Sequence, residues 1–298
     1  EYDFKDERRK LKEVSFLFNA QLLGHQQIVI NAIEKKDLGI IVAPPGSGKT
    51  IVGLKIIADK KQPALIITHR KQIADQWIER IETFLGIPKN EIGKIGQGKT
   101  KIGKQITVAM IQSLSKELEK PDTGKILNAF GTIIVDECHH IPAETFRNAI
   151  SKLQTFYLYG LTATPFRKYN DSKLIFIHLG EVIAEIKSNE ISTSKRPKII
   201  IRNTELDVPF NSKTDKFETL SKILVHDSSR NKSILGDVIN ELQSDKKVVI
   251  ITERKEHIDS LNQYLKQSYE VITLSGEDSE SAKNSKWKLL KEGNYQVL

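Results

Sequence analysis

The distribution of apolar and polar positions sets out an alternating α/β chain. Leu22 to Ile33 reads as a helix, with Ile28, Ala32 and Ile33 assigned to one face. Short continuous apolar runs then recur at Ile40–Ala43, Ala64–Thr68, Gln105–Met110, Gly131–Val135 and Thr155–Leu161, each the length of a buried strand. Helical spacing fills the intervals, most clearly at Ile73, Trp77, Ile81 and Leu85, ending before Gly86 and Pro88. A second series follows a polar stretch. Its strands are expected at Lys198–Arg202, Val248–Thr252, Glu270–Leu274 and from Tyr295 onward. Its helix faces are Ile234/Leu235/Val238/Ile239/Leu242, Ile258/Leu261/Leu265 and Trp287/Leu289/Leu290. Strands alternating with helices predict doubly wound parallel sheets, whose ligands sit beyond the carboxyl ends of the strands.

Three strand ends carry chemistry. After Ile40–Ala43 come Pro44, Pro45, Gly46, Ser47, Gly48, Lys49 and Thr50, and then a helical pattern. Strand, glycine loop and helix together make a phosphate cradle of converging backbone N–H groups and a helix dipole. Lys49 can reach β- and γ-phosphates, and the Thr50 hydroxyl can ligate Mg²⁺. After Thr132–Val135 come Asp136, Glu137, Cys138 and His139, a metal-holding carboxylate followed by a candidate general base for an attacking water. His139 lacks companions at zinc-ligand spacing and is read as a polar relay toward Thr162 and Thr164, at the end of the next strand.

Ala43 to Thr50, Asp136 to His139 and Thr162 to Pro165, in this order, resemble motifs I, II and III of superfamily 2 helicases and translocases. The resemblance is strongest to the group containing the xeroderma pigmentosum group B repair helicase and the restriction-enzyme motor subunits, and it covers nearly the whole chain. It implies two RecA-like domains in tandem, ATP and Mg²⁺ between them, and nucleic acid, DNA in preference to RNA, across the top. By the same resemblance Gln26 is an adenine contact, Thr68–Lys71 is motif Ia with Arg70 and Lys71 facing nucleic acid, Gln112 and Ser113 belong to the next nucleic-acid motif, and Ile251–Arg254 is motif IV. Where the repair helicase carries an Arg-Glu-Asp triplet, this chain reads Pro165 to Tyr169, and motifs V and VI fall beyond Leu298. The expected organisation is a charged lead-in (1–20), a first RecA-like domain (21–180), a linker (181–197) and a truncated second RecA-like domain (198–298). The resulting expectation is an ATP-dependent helicase or translocase core whose turnover in this form is weak. Three alternatives stand beside it: a motor-subunit fragment of a restriction-type endonuclease, a metal-dependent nuclease using Asp171 and Glu185–Lys187, and a non-hydrolysing nucleic-acid scaffold.

Composition narrows this picture without changing it. No run of about 18 apolar residues is present. The N-terminus is charged and unlike a signal peptide. Cys138 is the sole cysteine, so no intrachain disulfide framework exists, and the expected setting is a reducing cytoplasm. The net charge of +8 lies wholly in the first part: residues 1–180 hold 27 Lys and Arg against 19 Asp and Glu, while residues 181–298 hold 19 of each. That asymmetry suits a polyanion track on the first domain. The glycine- and lysine-rich stretch 93–104 is expected to form a solvated hairpin or loop.

Overall fold

A computed structural model describes residues 6, 8–140, 144–164, 172–187, 198–204 and 216–298. The chain divides into two compact units, Glu1–Arg196 and Pro197–Leu298.

The first unit runs α1 (Gly24–Ile33), β1 (Leu38–Val42), α2 (Lys49–Lys60), β2 (Ala64–Thr68), α3 (Lys71–Leu85), β3 (Gly93–Gly96), β4 (Lys99–Lys101), β5 (Ile106–Met110), α4 (Ile111–Leu118), α5 (Gly124–Leu127), β6 (Thr132–Asp136), α6 (Glu144–Lys152), β7 (Tyr157–Thr162), α7 (Ser172–Leu179) and β8 (Val182–Glu185). The eight strands form one sheet in the order β4-β3-β5-β2-β6-β7-β1-β8. Every pairing is parallel except the β3–β4 hairpin.

Period-two alternation explains why the strand runs are apolar throughout: each strand is covered on both faces. Ile41, Ile66 and Ile134 point to the layer of α1, α2 and α3, where they meet Val52, Ile57, Trp77 and Ile81. Ile40, Leu65, Ile67, Ile133 and Val135 point to the opposite layer, packed on Leu114, Phe146, Ala149 and Leu179.

Several expectations are corrected here. In α1 the buried positions are Gln26, Val29, Ile30 and Ile33, whereas Ile28 is exposed. The helix turns the 26/29/30/33 stripe to the sheet, which carries Gln26 inward. Part of the expected linker, Val182–Glu185, is strand β8, paired with β1; residues 188–197 lie outside the described residues. The charged lead-in is laid along the first unit, with Val14 N donating to Lys61 O, Asn19 N to Phe84 O, and Phe16, Phe18 and Leu22 packed on the core. As expected, the lysine-rich stretch forms a hairpin, β3–β4, with β4 exposed along its length as a lysine-bearing edge that discourages strand addition.

The second unit holds α8 (Phe217–His226), α9 (Ser228–Gln243), α10 (Lys255–Leu265) and α11 (Glu280–Glu292). Lys198–Arg202, expected as a strand, makes no ladder, and Ile199 and Ile201 are exposed. The other three expected strands pair side by side, through parallel bridges from Val297 to Val248 and to Val271 and through backbone hydrogen bonds such as Ile250 N to Leu298 O and Ile272 N to Val297 O. Val238, Leu242, Leu265 and Val297 form this unit's small core, and Trp287 of α11 is half-exposed.

Gly160 of β7 is closely packed between Cys138 and Leu179 in the first unit's core. A Cβ there would lie 2.8 Å from Cys138 Sγ and would also strike Leu179. Gly160→Ala is therefore expected to lower the unfolding free energy by about 1–3 kcal/mol, the usual cost of overpacking. Urea denaturation checks this; an unchanged midpoint would show that the layer yields without cost.

Candidate nucleotide and nucleic-acid site

Parallel pairing brings the chemistry to one edge. β6, β7 and β1 are neighbours, with Asp136 in register with Leu161 and Thr162 in register with Val42. The loops that leave these three strands therefore emerge side by side.

The glycine loop between β1 and α2 has the backbone its residues permit. Gly46 and Gly48 have φ of 80° and 82°, in the left-handed region open to glycine. Gly48 also abuts the Gln26 amide so closely that a Cβ would collide with it. Gln26 is locked in place: Oε1 accepts from Leu23 N at 2.9 Å and Nε2 donates to Ser47 O at 2.9 Å. His25 Nε2 lies 3.2 Å from the same carbonyl, a second restraint on the loop that the sequence reading missed. Ser47 Oγ is buried with no hydrogen-bond partner among the described residues. A buried, unpaired hydroxyl in a left-handed glycine loop at a helix N-terminus fits a phosphate group. Pro45 opens this loop, and Lys49 and Thr50 start α2.

Lys49 and the β6 loop meet directly. Lys49 Nζ lies 3.3 Å from Glu137 Oε1, both side chains being mostly shielded from solvent. Glu137 Oε2 is 3.3 Å from His139 Nδ1, which is 3.0 Å from Thr162 Oγ1. The Thr162 hydroxyl donates to Thr164 O and accepts from Thr164 N. A carboxylate only accepts, and the Thr162 hydrogen is already committed, so the shared proton is assigned to His139 Nδ1. A continuous polar chain thus joins the phosphate loop to the end of β7. Glu137 has φ of 49°, a left-handed conformation that costs a non-glycine residue energy and clusters at functional sites.

Asp136 is held on both oxygens. Oδ1 accepts from Glu137 N at 2.9 Å, and Oδ2 accepts from the indole N–H of Trp77 at 2.7 Å. Burial pushes its carboxyl above the usual range, against the Trp77 hydrogen bond, which stabilises the charged form. With Thr50, Asp136 supplies the hard oxygen donors that Mg²⁺ takes, so the residues present fit that ion. Cys138 is fully buried, and burial raises its thiol pKa far from reactivity.

Next to β6 lie β2 and then β5, and their loops carry the expected nucleic-acid residues. Arg70 is the exposed N-cap of α3, Lys71 is its exposed first residue, and Gln112 and Ser113 sit in the first turn of α4. The hairpin turn Gln97–Gly98 extends the same edge, since β3 runs parallel to β5. The two halves touch through histidines. His69, after β2, has its ring 4.4 Å from that of His140, after β6, and His140 is 4.2 Å from His139. Glu185 of the nuclease pattern lies on β8, whereas Asp171 and Pro165–Tyr169 fall outside the described residues. Ile251–Arg254 belongs to the second unit. There Ile251 is exposed and Arg254 Nε donates to Ser221 Oγ.

With this geometry in hand, comparison with known proteins gives a family. A model of the type III restriction enzyme res subunit matches residues 19–167. The chain belongs to the res-subunit family. Its family segment spans all three strand-end motifs. The DNA 3'-5' translocase XPB2 of Sulfurisphaera tokodaii is 31% identical over 204 residues, covering 68% of this res-family chain and 44% of that protein. The DNA 3'-5' helicase XPB of Mycobacterium tuberculosis is 29% identical over 167 residues, covering 54% and 29%. An Acanthamoeba polyphaga mimivirus protein whose name is that of an ATP-dependent RNA helicase is 29% identical over 264 residues, covering 83% and 49%. The chain spans less than half the length of each of these curated relatives. In fold it is similar to the helicase domain of Pyrococcus furiosus Hef, with a TM-score of 0.63 at 14% identity over 92% of this chain and 84% of that one. No helix among the described residues is long and apolar enough to cross a membrane.

His69 yields a pH test. Burial and the neighbouring Arg70 hold its imidazole below the ordinary 6.5, while Glu137 and Asp136 oppose the shift. The folded chain then binds this proton less readily than the unfolded chain, so stability from neutral His69 is full above 6.5 and declines as pH falls below it. His178 and His257 are lowered too and act with the same sign. His69→Gln is expected to show a smaller loss of unfolding free energy than the parent between about pH 7.5 and about pH 5.5. Equal losses would remove His69 from the account.

Proposed function

We propose that this chain is the ATP-binding core of a nucleic-acid motor, a helicase or translocase acting on DNA, most naturally duplex DNA. The observation that carries the reading is the contact chain Lys49–Glu137–His139–Thr162 at the carboxyl edge of the sheet, beside the loop that fits a phosphate. The relatives' names, which include DNA translocase, DNA helicase and ATP-dependent RNA helicase, support the same activity.

In this reading the backbone N–H groups of residues 46–50 bind the phosphates and Lys49 neutralises the β/γ oxygens. The Lys49–Glu137 ion pair is the resting arrangement. An incoming triphosphate competes for the ammonium and frees the Glu137 carboxylate to orient a water and take its proton. Thr50 and Asp136 would hold Mg²⁺, which would supply positive charge against the charge developing on the phosphates. His139 reports the state of Glu137 to Thr162 through its Nδ1–H. Gln26 acts mainly by pinning the phosphate loop, because its amide is engaged with Leu23 and Ser47. Arg70, Lys71, Gln112 and Ser113 contact the nucleic-acid backbone. That mode of binding carries no sequence preference and suits stepping.

Two substitutions separate binding from chemistry. Lys49→Ala is expected to weaken ATP binding by about 10- to 100-fold, the loss of a charged hydrogen-bonding partner, and to lower the thermal midpoint somewhat because Glu137 is left unpaired, with the fold retained. Titration calorimetry with ATP decides it, and full affinity in a folded variant would refute the phosphate role. In a form that carries the whole second RecA-like domain, Glu137→Gln is expected to keep ATP binding and to slow turnover in the presence of duplex DNA by about 10²- to 10⁴-fold. Turnover equal to that of the unaltered chain would assign the base elsewhere.

A further inference from the structure

Trp77 sits in the middle of α3, where helical periodicity assigns it to the core, and it is 1% exposed. A buried indole N–H needs an acceptor. Here the acceptor is Asp136 Oδ2 at 2.7 Å, a charged oxygen, so the bond is of the stronger, charge-assisted kind. The other carboxylate oxygen takes the Glu137 N–H at 2.9 Å. With one donor on each oxygen, rotating the carboxylate breaks both bonds, and lone pairs remain on both oxygens for a cation.

The seat of the indole is built by a second element. Gly53 lies inside α2, four residues after Lys49, where glycine costs a helix about 1 kcal/mol relative to alanine. A Cβ at Gly53 would lie 2.7 Å from Trp77 Cη2 and 3.1 Å from Leu161 Cδ1. The helix that starts at Lys49, the helix that starts after Arg70 and the strand that ends at Asp136 all meet at this ring.

We propose that Trp77 is a positioning residue for the metal-holding carboxylate: its N–H fixes the Asp136 side chain, and the Gly53 notch fixes the indole, so that Trp77 sets the affinity of the site for Mg²⁺. This rests on the reading of Asp136 as a metal-holding residue. A tryptophan that only filled the core would affect stability without regard to the ion.

Two variants divide these roles. Trp77→Phe keeps a ring in the core and removes the N–H; Gly53→Ala keeps the N–H and presses on the ring. The readout is binding of a fluorescent ADP analogue during a Mg²⁺ titration and again in EDTA, with thermal midpoints alongside. In Trp77→Phe the Mg²⁺ concentration for half-maximal effect should rise by about 10- to 100-fold, the usual effect of losing an outer hydrogen-bond partner of a metal ligand. Affinity in EDTA should stay at the parent value. Gly53→Ala should move the Mg²⁺ midpoint in the same direction. A third measurement covers failure of Trp77→Phe to fold. Trp287 of α11 is the only other tryptophan, so in a Trp287→Phe protein the emission of Trp77 should change on adding Mg²⁺ to the ADP-bound chain. An unchanged Mg²⁺ midpoint in folded Trp77→Phe, an equal loss with and without Mg²⁺, or a silent Trp77 emission would each overturn the inference alone. Nucleotide binding by the parent chain that ignores Mg²⁺ would overturn the metal assignment of Asp136 together with it.

Discussion

The structure depends first on the register of three parallel strands. β6, β7 and β1 pair so that Asp136 faces Leu161 and Thr162 faces Val42. A slip of one residue would turn each strand's apolar set to the other layer, and both layers are closely packed. The core therefore dictates the height at which the loops leave the sheet. The phosphate loop, the carboxylate loop and the hydroxyl motif become neighbours because Ile41, Ile134 and Leu161 have to share one layer, not through any local attraction among the polar residues.

Upon that frame the charges are arranged at close quarters. Lys49, Glu137 and His139 lie in a partly shielded setting, where an ion pair is stronger than at a free surface and where an unpaired partner is costly. Asp136 is deeper, and its two donors offset a burial that would otherwise favour the neutral acid. The His69–His140 ring contact joins this half of the edge to the half that carries Arg70 and Gln112. The end of β6 and its loop thus touch α3 at two places, just before its start through His69 and at its middle through Trp77.

Much of the first unit was legible in the sequence because its signals are local. Strand β1, two left-handed glycines, a lysine and a hydroxyl are contiguous, and Asp136 and Thr162 each directly end an apolar run. Other features are set by distant partners. The buried face of α1 is fixed by what it packs against, so Ile28, apolar but turned outward, misled the reading while Gln26 went inside. β8 is a short strand of mixed polarity that owes its existence to pairing with β1. In the second unit the apolar runs at 248–252 and 270–274 are joined through the segment at Val297, by short parallel pairings and not by long ladders. Trp77 was correctly placed on a core face, while the destination of its N–H depended on an acceptor 59 residues away.

The central claim is that the loop at residues 44–50 and the carboxylates after β6 together form one Mg²⁺–nucleotide site. A crystal structure of the chain with Mg²⁺ and a non-hydrolysable ATP analogue tests this most directly. The account predicts phosphates enclosed by the backbone N–H groups of residues 46–50, the Lys49 ammonium moved from Glu137 to a phosphate oxygen, and the ion within reach of Thr50 and Asp136. A nucleotide bound away from this loop, or Lys49 still paired with Glu137 beside a bound triphosphate, would contradict it.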